Sequence, residues 1–405
     1  MAKLAINGGD PICDRVFPSW TTYTDADEAE LLKAYQSNVW GMKGEQNQRF
    51  AERFAKYSGV KHCIPVANGT VSIELILRGL GIGRGDEVIV PPWTFIASIS
   101  ALIYAGVKPV FADIEKDTYL LSPESAEKMI TPRTKAIMPV YVGGRAADLD
   151  AFEALCNKYG LYLIGDAAQA VGSEFNGKGI GNYGIATSIS CQNSKNLTCG
   201  EGGIILTNDD TLYATIMQML NTGRAANGSY SYLGLENGMS EFQASILNTQ
   251  LDTLPAQIDK RMKNAAYLNK RLRELDFVYP LKADARITRD SYHLFIFGVR
   301  EEKLKGVSRN DFLNAVSAEG VPMLAAGYQP AYHFPCLTDE YTERCIGGKI
   351  NVNPDTPVSE WISAHESAWI YHSLLLGEQE DMDGIIAALI KVYENLDELA
   401  EEGRA

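Results

Sequence analysis

"DEVIVPPWTFIASISALIYAGVKPVFADI", residues 86–114, reads as a strand, a helix and a strand. The outer runs, DEVIVPP and KPVFADI, are short, β-branched and nearly all apolar. Strands have that composition when both faces of their sheet are covered. FIASISALIYAG between them carries apolar residues at helical spacing and ends in glycine, a common helix stop. The pattern continues on either side, from about residue 60 to 210. TKAIMPVYV, LYLIGDA and GGIILTND read as further strands, and GTVSIELILRGLGI, ESAEKMI and DLDAFEALCNKYG as further helices. Such alternation predicts an α/β fold built on a mostly parallel sheet. In doubly wound sheets ligands bind at the carboxyl ends of the strands.

At 405 residues the chain is too long for one compact core, which predicts a large domain and a smaller one. The texture changes after residue 240. SEFQASILNTQLDTL and PAQIDKRMKNAAYLNKRLREL read as two long helices, with Pro255 opening the second. A mixed region follows, then a last helix whose apolar face holds Met382, Ile385, Ile386, Leu389, Val392 and Leu396. The expected division is a large cofactor-binding α/β domain over 1–255, with an N-terminal arm, and a smaller α+β domain over 256–405. A net charge of −14 opposes binding to nucleic acid or anionic lipid. No apolar run is long enough to cross a bilayer, and MAKLAINGGDP lacks the apolar core of a signal peptide. Seven scattered cysteines without a CxxC pair support neither a disulfide framework nor a zinc site. A cytoplasmic protein without a metal is expected.

Four stretches place chemistry at strand ends. In VANGTVSIELIL, Asn68-Gly69-Thr70 opens a helix, whose free amides and positive dipole end suit a phosphate. A plain N-cap is the competing reading. In LYLIGDAAQAVGS, Asp166 ends an apolar strand, where a carboxylate needs a cation or donors. A protonated ring nitrogen at about 4 Å is worth roughly 4 kcal/mol before desolvation at an effective dielectric near 20. That is about three pKa units on the ring. Asp166 as a cap is the rival, and Gln169 lies one turn on. In SISCQNSKNLTCGEGG, residues 188–203, Lys195 stands among small residues, with Ser190 upstream and Gly200, Gly202 and Gly203 downstream. An amine in such a setting can attack a carbonyl. In PPWTFIAS, Trp93 or Phe95 could stack on a planar ring. A phosphate cradle, an aromatic plate, an acid for a ring nitrogen and an amine for an aldehyde together match pyridoxal 5′-phosphate.

In this order, NGT, GDEVIVPPWTFIAS, PVFADI, DLDAF, DAAQA, SKNLTCGEGG, MSEFQASIL and GYQPAYHFP resemble the fold-type-I pyridoxal-phosphate-dependent sugar aminotransferases of the DegT/DnrJ/StrS group. The resemblance covers nearly the whole chain. It implies a seven-stranded-type sheet and a Schiff base on Lys195. It sets Asp166 at the pyridine nitrogen, Phe95 as the stacking ring and Gln169 near the cofactor's ring oxygen. It makes Thr70, the Val71 amide and Ser190 the phosphate site, where Gly69 lets the backbone come close. It also implies a homodimer with shared sites, in which Asn237 of ENGMSEF reaches the neighbour's phosphate. Gln192 after SC, LAINGGDP and HESAWIYHSLLLG are most similar to the branch of glutamine-dependent keto-cyclitol aminotransferases and aminohydroxybenzoate synthases. Four positions depart from the group's common pattern: Tyr141, Gly165, Val171 and Cys191.

The implied reaction moves an amino group from glutamine or glutamate to a keto sugar or keto-cyclitol, with Lys195 as general base and acid. Tyr141, Tyr328, Tyr332, His293 and His333 are candidates for the acceptor site. Two other readings stand beside it: dehydration and aromatisation as in aminohydroxybenzoate synthases, and a non-catalytic regulatory member of the group. Lys195 and Asp166 argue against the last.

Overall fold

A computed structural model describes residues 3–225, 227–322 and 327–402. Its centre is a seven-stranded sheet of β1 (His62–Val66), β2 (Glu87–Val90), β3 (Lys108–Phe111), β4 (Thr134–Ile137), β5 (Tyr162–Asp166), β8 (Ala186–Ser190) and β9 (Gly203–Thr207). The order is β1-β9-β8-β5-β4-β2-β3, and β9 alone runs against the others. Every stretch quoted above as a strand supplies one of these. Helices α1 (Asp25–Gln36), α2 (Glu45–Ser58), α3 (Gly69–Gly79), α4 (Ala97–Tyr104), α5 (Pro123–Lys128), α6 (Leu149–Tyr159) and α7 (Asp210–Leu220) accompany the sheet. One apolar core joins Phe50, Phe54, Phe152 and Ile189 on one face. A second joins Ile64, Leu75, Val88 and Ile205 on the other. Cover on both faces is why these strands are apolar throughout.

Outside this sheet the arrangement changes. A ribbon of β6 (Glu174–Phe175), β7 (Lys178–Gly179) and β11 (Ile287–Arg289) lies apart from a three-stranded antiparallel sheet, β10 (Val278–Pro280), β12 (Leu294–Val299) and β13 (Ser367–Tyr371). The latter carries its own core, with Phe297, Phe312, Ile370 and Leu389.

Two expectations are corrected. The two helices expected to meet at Pro255 are one helix, α8 (Glu241–Leu272), with the proline inside it. Proline removes one intrahelical hydrogen bond. Burial of Leu251, Leu254 and Ile258 around it holds the helix through that gap. Its first half packs in the large core and its second half, from Ala265, in the C-terminal core. The N-terminal arm, grouped above with the first domain, packs instead on the second. Leu4 and Cys13 are in the C-terminal core, and Glu319 accepts from the Ala5 and Ile12 amides, both at 2.9 Å.

Glu241 fixes the start of α8 against α2. Its carboxylate, 1% exposed, accepts from the Gln46 and Asn47 amides and from Asn47 Nδ2, each at 2.8 Å. Glu241→Ala leaves these buried donors unpaired, and a stability loss of about 3 kcal/mol is expected. Urea unfolding measures it; a loss below about 0.5 kcal/mol, the range of ordinary surface changes, would contradict this assignment.

Candidate active site

The carboxyl ends of the parallel strands open into a cavity of about 770 Å³. Asn68, Gly69, Thr70, Val71, Phe95, Asp166, Gln169, Ser190 and Lys195 all line it. They come from four strand ends separated by up to 127 residues, Asn68 to Lys195.

Asp166 closes β5 and is 1% exposed. Oδ2 accepts from Ser98 Oγ at 2.6 Å and Oδ1 from the Ala168 amide at 3.1 Å. Burial raises its pKa; the two hydrogen bonds and the charge of Lys195 oppose the rise. The Lys195 amine is shifted down by burial, against the pull of Asp166 and Cys191. Among the described residues neither group has an ion-pair partner. The result is a buried acid and a half-buried amine facing one cavity. Shifted groups of this kind in a cleft mark reactive sites.

At the start of α3 the capping reading holds for one group: Asn68 Oδ1 accepts from the Val71 amide at 2.9 Å. The Gly69 and Thr70 amides precede the first intrahelical bonds, and with the Thr70 and Ser190 hydroxyls they remain as donors. Gly69 also serves packing, because a Cβ there would meet Ser190 Cβ at 2.9 Å. Gly203 does the same from β9, where a Cβ would meet Asn68 O at 2.3 Å. The glycines let helix α3 sit directly on the ends of β8 and β9.

Between the two aromatic candidates the structure chooses. Trp93 is wholly buried, edge-on to Tyr119, Tyr328 and Trp369. Phe95 is 57% exposed at the cavity wall. Gln169 bridges two elements: Oε1 accepts from the Gly143 amide and Nε2 donates to Tyr328 Oη, both at 2.7 Å.

Of the acceptor-site candidates, His293 and Tyr328 line the cavity. His293 Nδ1 lies 3.2 Å from Asn196 Oδ1, and the Asn196 amide donates to Ser291 O at 2.7 Å. The proton is therefore on Nδ1, leaving Nε2 as an acceptor. Burial and the charges of Lys195 and Arg261 keep this ring neutral, its pKa well below the usual value. The other three do not line the cavity. Tyr332 donates to Glu360 at 2.6 Å, and His333 contacts the same carboxylate at 2.9 Å. Tyr141 is fully buried, and its hydroxyl would lie 2.7 Å from a Cβ at position 165. Tyr141 and Gly165, noted separately as departures, form one steric pair: the glycine makes room for the phenol. Asn237 also lies off the cavity lining; its carbonyl accepts from the Ala67 amide at 2.8 Å.

Ser98, Tyr104, Glu201, Trp369 and Tyr371 line the cavity without having been singled out from sequence. Ser98 stood inside a quoted motif, but its partner is 68 residues away. Trp369 and Tyr371 come from β13, whose approach to the sheet no local pattern reveals.

The DegT/DnrJ/EryC1/StrS aminotransferase family model matches residues 22–389. The L-glutamine:2-deoxy-scyllo-inosose aminotransferase of Streptomyces paromomycinus is 34% identical over 415 residues, covering 96% of this chain and 97% of the relative. That of Streptomyces fradiae is 33% identical, covering 99% of this chain and all of the relative. The crystal structure of 3-amino-5-hydroxybenzoic acid synthase superposes with a TM-score of 0.83 at 30% identity, covering 94% of this chain and 99% of the other. DesI, crystallised in the presence of its TDP-sugar product, gives 0.85 at 27% identity, covering 99% of each chain. The architecture is that of fold-type-I aminotransferases. Taken with the amine and the buried acid on one cavity, these likenesses place the chain in the DegT/DnrJ/EryC1/StrS aminotransferase family.

Proposed function

We propose that this aminotransferase carries the amino group of glutamine or glutamate to a keto-cyclitol, using pyridoxal 5′-phosphate in the cavity described. The observation that carries this reading is a buried carboxylate, Asp166, and a half-buried amine, Lys195, on one cavity and without ion-pair partners among the described residues. A buried carboxylate lacking a cation suits a protonated ring nitrogen. The open face of Phe95 suits a planar ring, and the start of α3 with Ser190 suits a phosphate. When bound, the cofactor supplies an aldehyde and an electron-withdrawing ring. The protein's part is proton traffic and orientation. The Lys195 amine, shifted down by burial, takes and returns a proton at the donor's α-carbon. Asp166, held by Ser98 and Ala168, keeps the ring nitrogen protonated. His293 Nε2 and Tyr328 are suitable partners for acceptor hydroxyls.

Charge supports a keto-cyclitol. Among the described lining residues Lys195 is the sole lysine or arginine, whereas Glu74, Asp166 and Glu201 are acids. A nucleotide-linked acceptor calls for cations at its diphosphate. A neutral polyol does not, and the relatives named above act on 2-deoxy-scyllo-inosose. Seven free cysteines suit a reducing, cytoplasmic setting, and no helix among the described residues is long and apolar enough to cross a membrane. A homodimer with shared sites accounts for the exposed Leu32, Tyr35, Val39, Trp40 and Leu233. It gives Asn237 a role across the interface.

Lys195→Ala is expected to lower turnover by at least ~100-fold, the scale of a proton-transfer residue, with the thermal unfolding profile retained. Near-normal turnover would refute the assignment. Asp166→Asn is expected to weaken cofactor binding or rate by about 100-fold, as for loss of a charge partner worth one to three pKa units. An unchanged dissociation constant and rate would reduce Asp166 to a cap. The acceptor is tested by mass spectrometry of products from glutamine with 2-deoxy-scyllo-inosose or a TDP-linked keto sugar. Amination of the cyclitol alone is expected; amination of the nucleotide sugar alone overturns the acceptor class, and loss of water points to the synthase-like reaction.

A further inference from the structure

Arg261, on α8, has no exposed surface and no carboxylate partner among the described residues. Burial pushes its pKa down to about 9. Nε and Nη1 have no hydrogen-bond partner. Nη2 lies 3.3 Å from Gln257 Oε1 and 3.2 Å from His372 Nδ1. An arginine cannot accept, so His372 Nδ1 is the acceptor and carries no proton. The proton of neutral His372 is then on Nε2, which lies 3.0 Å from the carbonyl of Ser194. That carbonyl belongs to the peptide bond joining Ser194 to Lys195. His372 follows β13 inside the HESAWIYHSLLLG stretch, whose Trp369 and Tyr371 line the cavity while His372 does not.

Trp20, from the N-terminal arm, covers this arrangement. Its ring is edge-on to His372 at 4.7 Å, the Arg261 guanidinium lies over it at 5.8 Å, and its Nε1 donates to Asn193 O at 3.1 Å. On the other side His293 donates to Asn196. Three of the four residues of the turn 193–196 are thus tied from outside it, at Asn193, Ser194 and Asn196. The fourth is Lys195.

We propose that Arg261 and His372 are positioning residues for Lys195, with the guanidinium fixing the His372 tautomer that holds the Ser194 carbonyl. A carboxylate beside His372 would favour a proton on Nδ1 and a cationic ring. An arginine enforces the reverse, since a second cation would face it directly. Arg261 and Lys195 both hold His372 neutral, and burial carries its pKa down to about 3. The uncompensated guanidinium is thereby explained: it is present as a donor that cannot change role. The result is a lysine whose preceding peptide group is held in place beside Asp166.

The proposal rests on Lys195 being the cofactor-bearing amine. Apo-protein is mixed with pyridoxal 5′-phosphate, quenched with borohydride at timed intervals, and the adduct on the Lys195 peptide quantified by mass spectrometry. No adduct in the wild type would defeat the functional reading itself. Given a wild-type adduct, His372→Phe keeps the ring packing against Trp20 and is expected to form it about 10-fold more slowly, since displacement of about 1 Å costs up to ~100-fold. His372→Gln, which keeps a donor for the Ser194 carbonyl, is expected to recover most of that rate. Equal rates in wild type and His372→Phe, or no recovery in a folded His372→Gln, overturn the proposal. Nitrogen-15 NMR of the wild type decides independently of variant folding. His372 is expected as the neutral Nε2–H form through the pH range near 6.5 where free histidine titrates. An Nδ1–H form, or a charge change in that range, overturns it.

Discussion

A carboxylate buried without a cation is the constraint around which this structure is arranged. Asp166 sits at the end of a parallel strand, where the chain leaves the sheet and side chains meet at its edge. Withdrawing a carboxylate from water costs several kcal/mol even after the protein relaxes. Two hydrogen bonds, each worth about 1.5–3 kcal/mol to a charged group, offset part of that cost. Lys195 lies close enough to lower the carboxylate pKa but does not pair with it. The remaining deficit is what the ring nitrogen of the proposed cofactor would offset. A salt bridge between the two would have satisfied both charges and left Lys195 unsuited to the nucleophilic role proposed for it.

The rest of the site follows from keeping these two groups apart yet adjacent. Neighbouring parallel strands β5 and β8 set the spacing. The long return from β8 to antiparallel β9 gives the lysine turn its room, and glycines at 69 and 203 let α3 close against the strand ends. The C-terminal unit supplies the opposite wall through Tyr328, Trp369 and Tyr371. Gln169 ties the walls together, bonding Gly143 on one side and Tyr328 on the other.

Several acids in the quoted motifs prove structural. Asp113 of PVFADI accepts from the Val358 and Ser359 amides, so it caps a helix 245 residues away. Asp148 of DLDAF accepts from the Ala151 amide and pairs with Arg286 at 2.7 Å. Glu241 of MSEFQASIL anchors α2. A carboxylate at a helix start can bind a ligand or cap its own chain, and only its neighbours decide which. Tyr141 illustrates the same limit for size: its place in the core depends on the absence of a side chain at Gly165.

The alternation of apolar strands and amphipathic helices was sufficient to read five of the seven sheet strands, because strand composition reports cover on both faces directly; β8, Ala186–Ser190, lacks such an apolar run. Lys195, Asp166 and the helix start after Asn68 were legible for a related reason: each sits where a local pattern ends, and in a parallel sheet those ends converge. Phe95 against Trp93 was not legible, since both follow the same strand and only packing against Tyr119 and Trp369 separates them. Nor was the unbroken α8, because proline's local preference lost to apolar burial along both halves. Ser98, His372 and Arg261 were hidden for a third reason. Each acts through a partner between 68 and 178 residues away, at distances that only the folded chain creates.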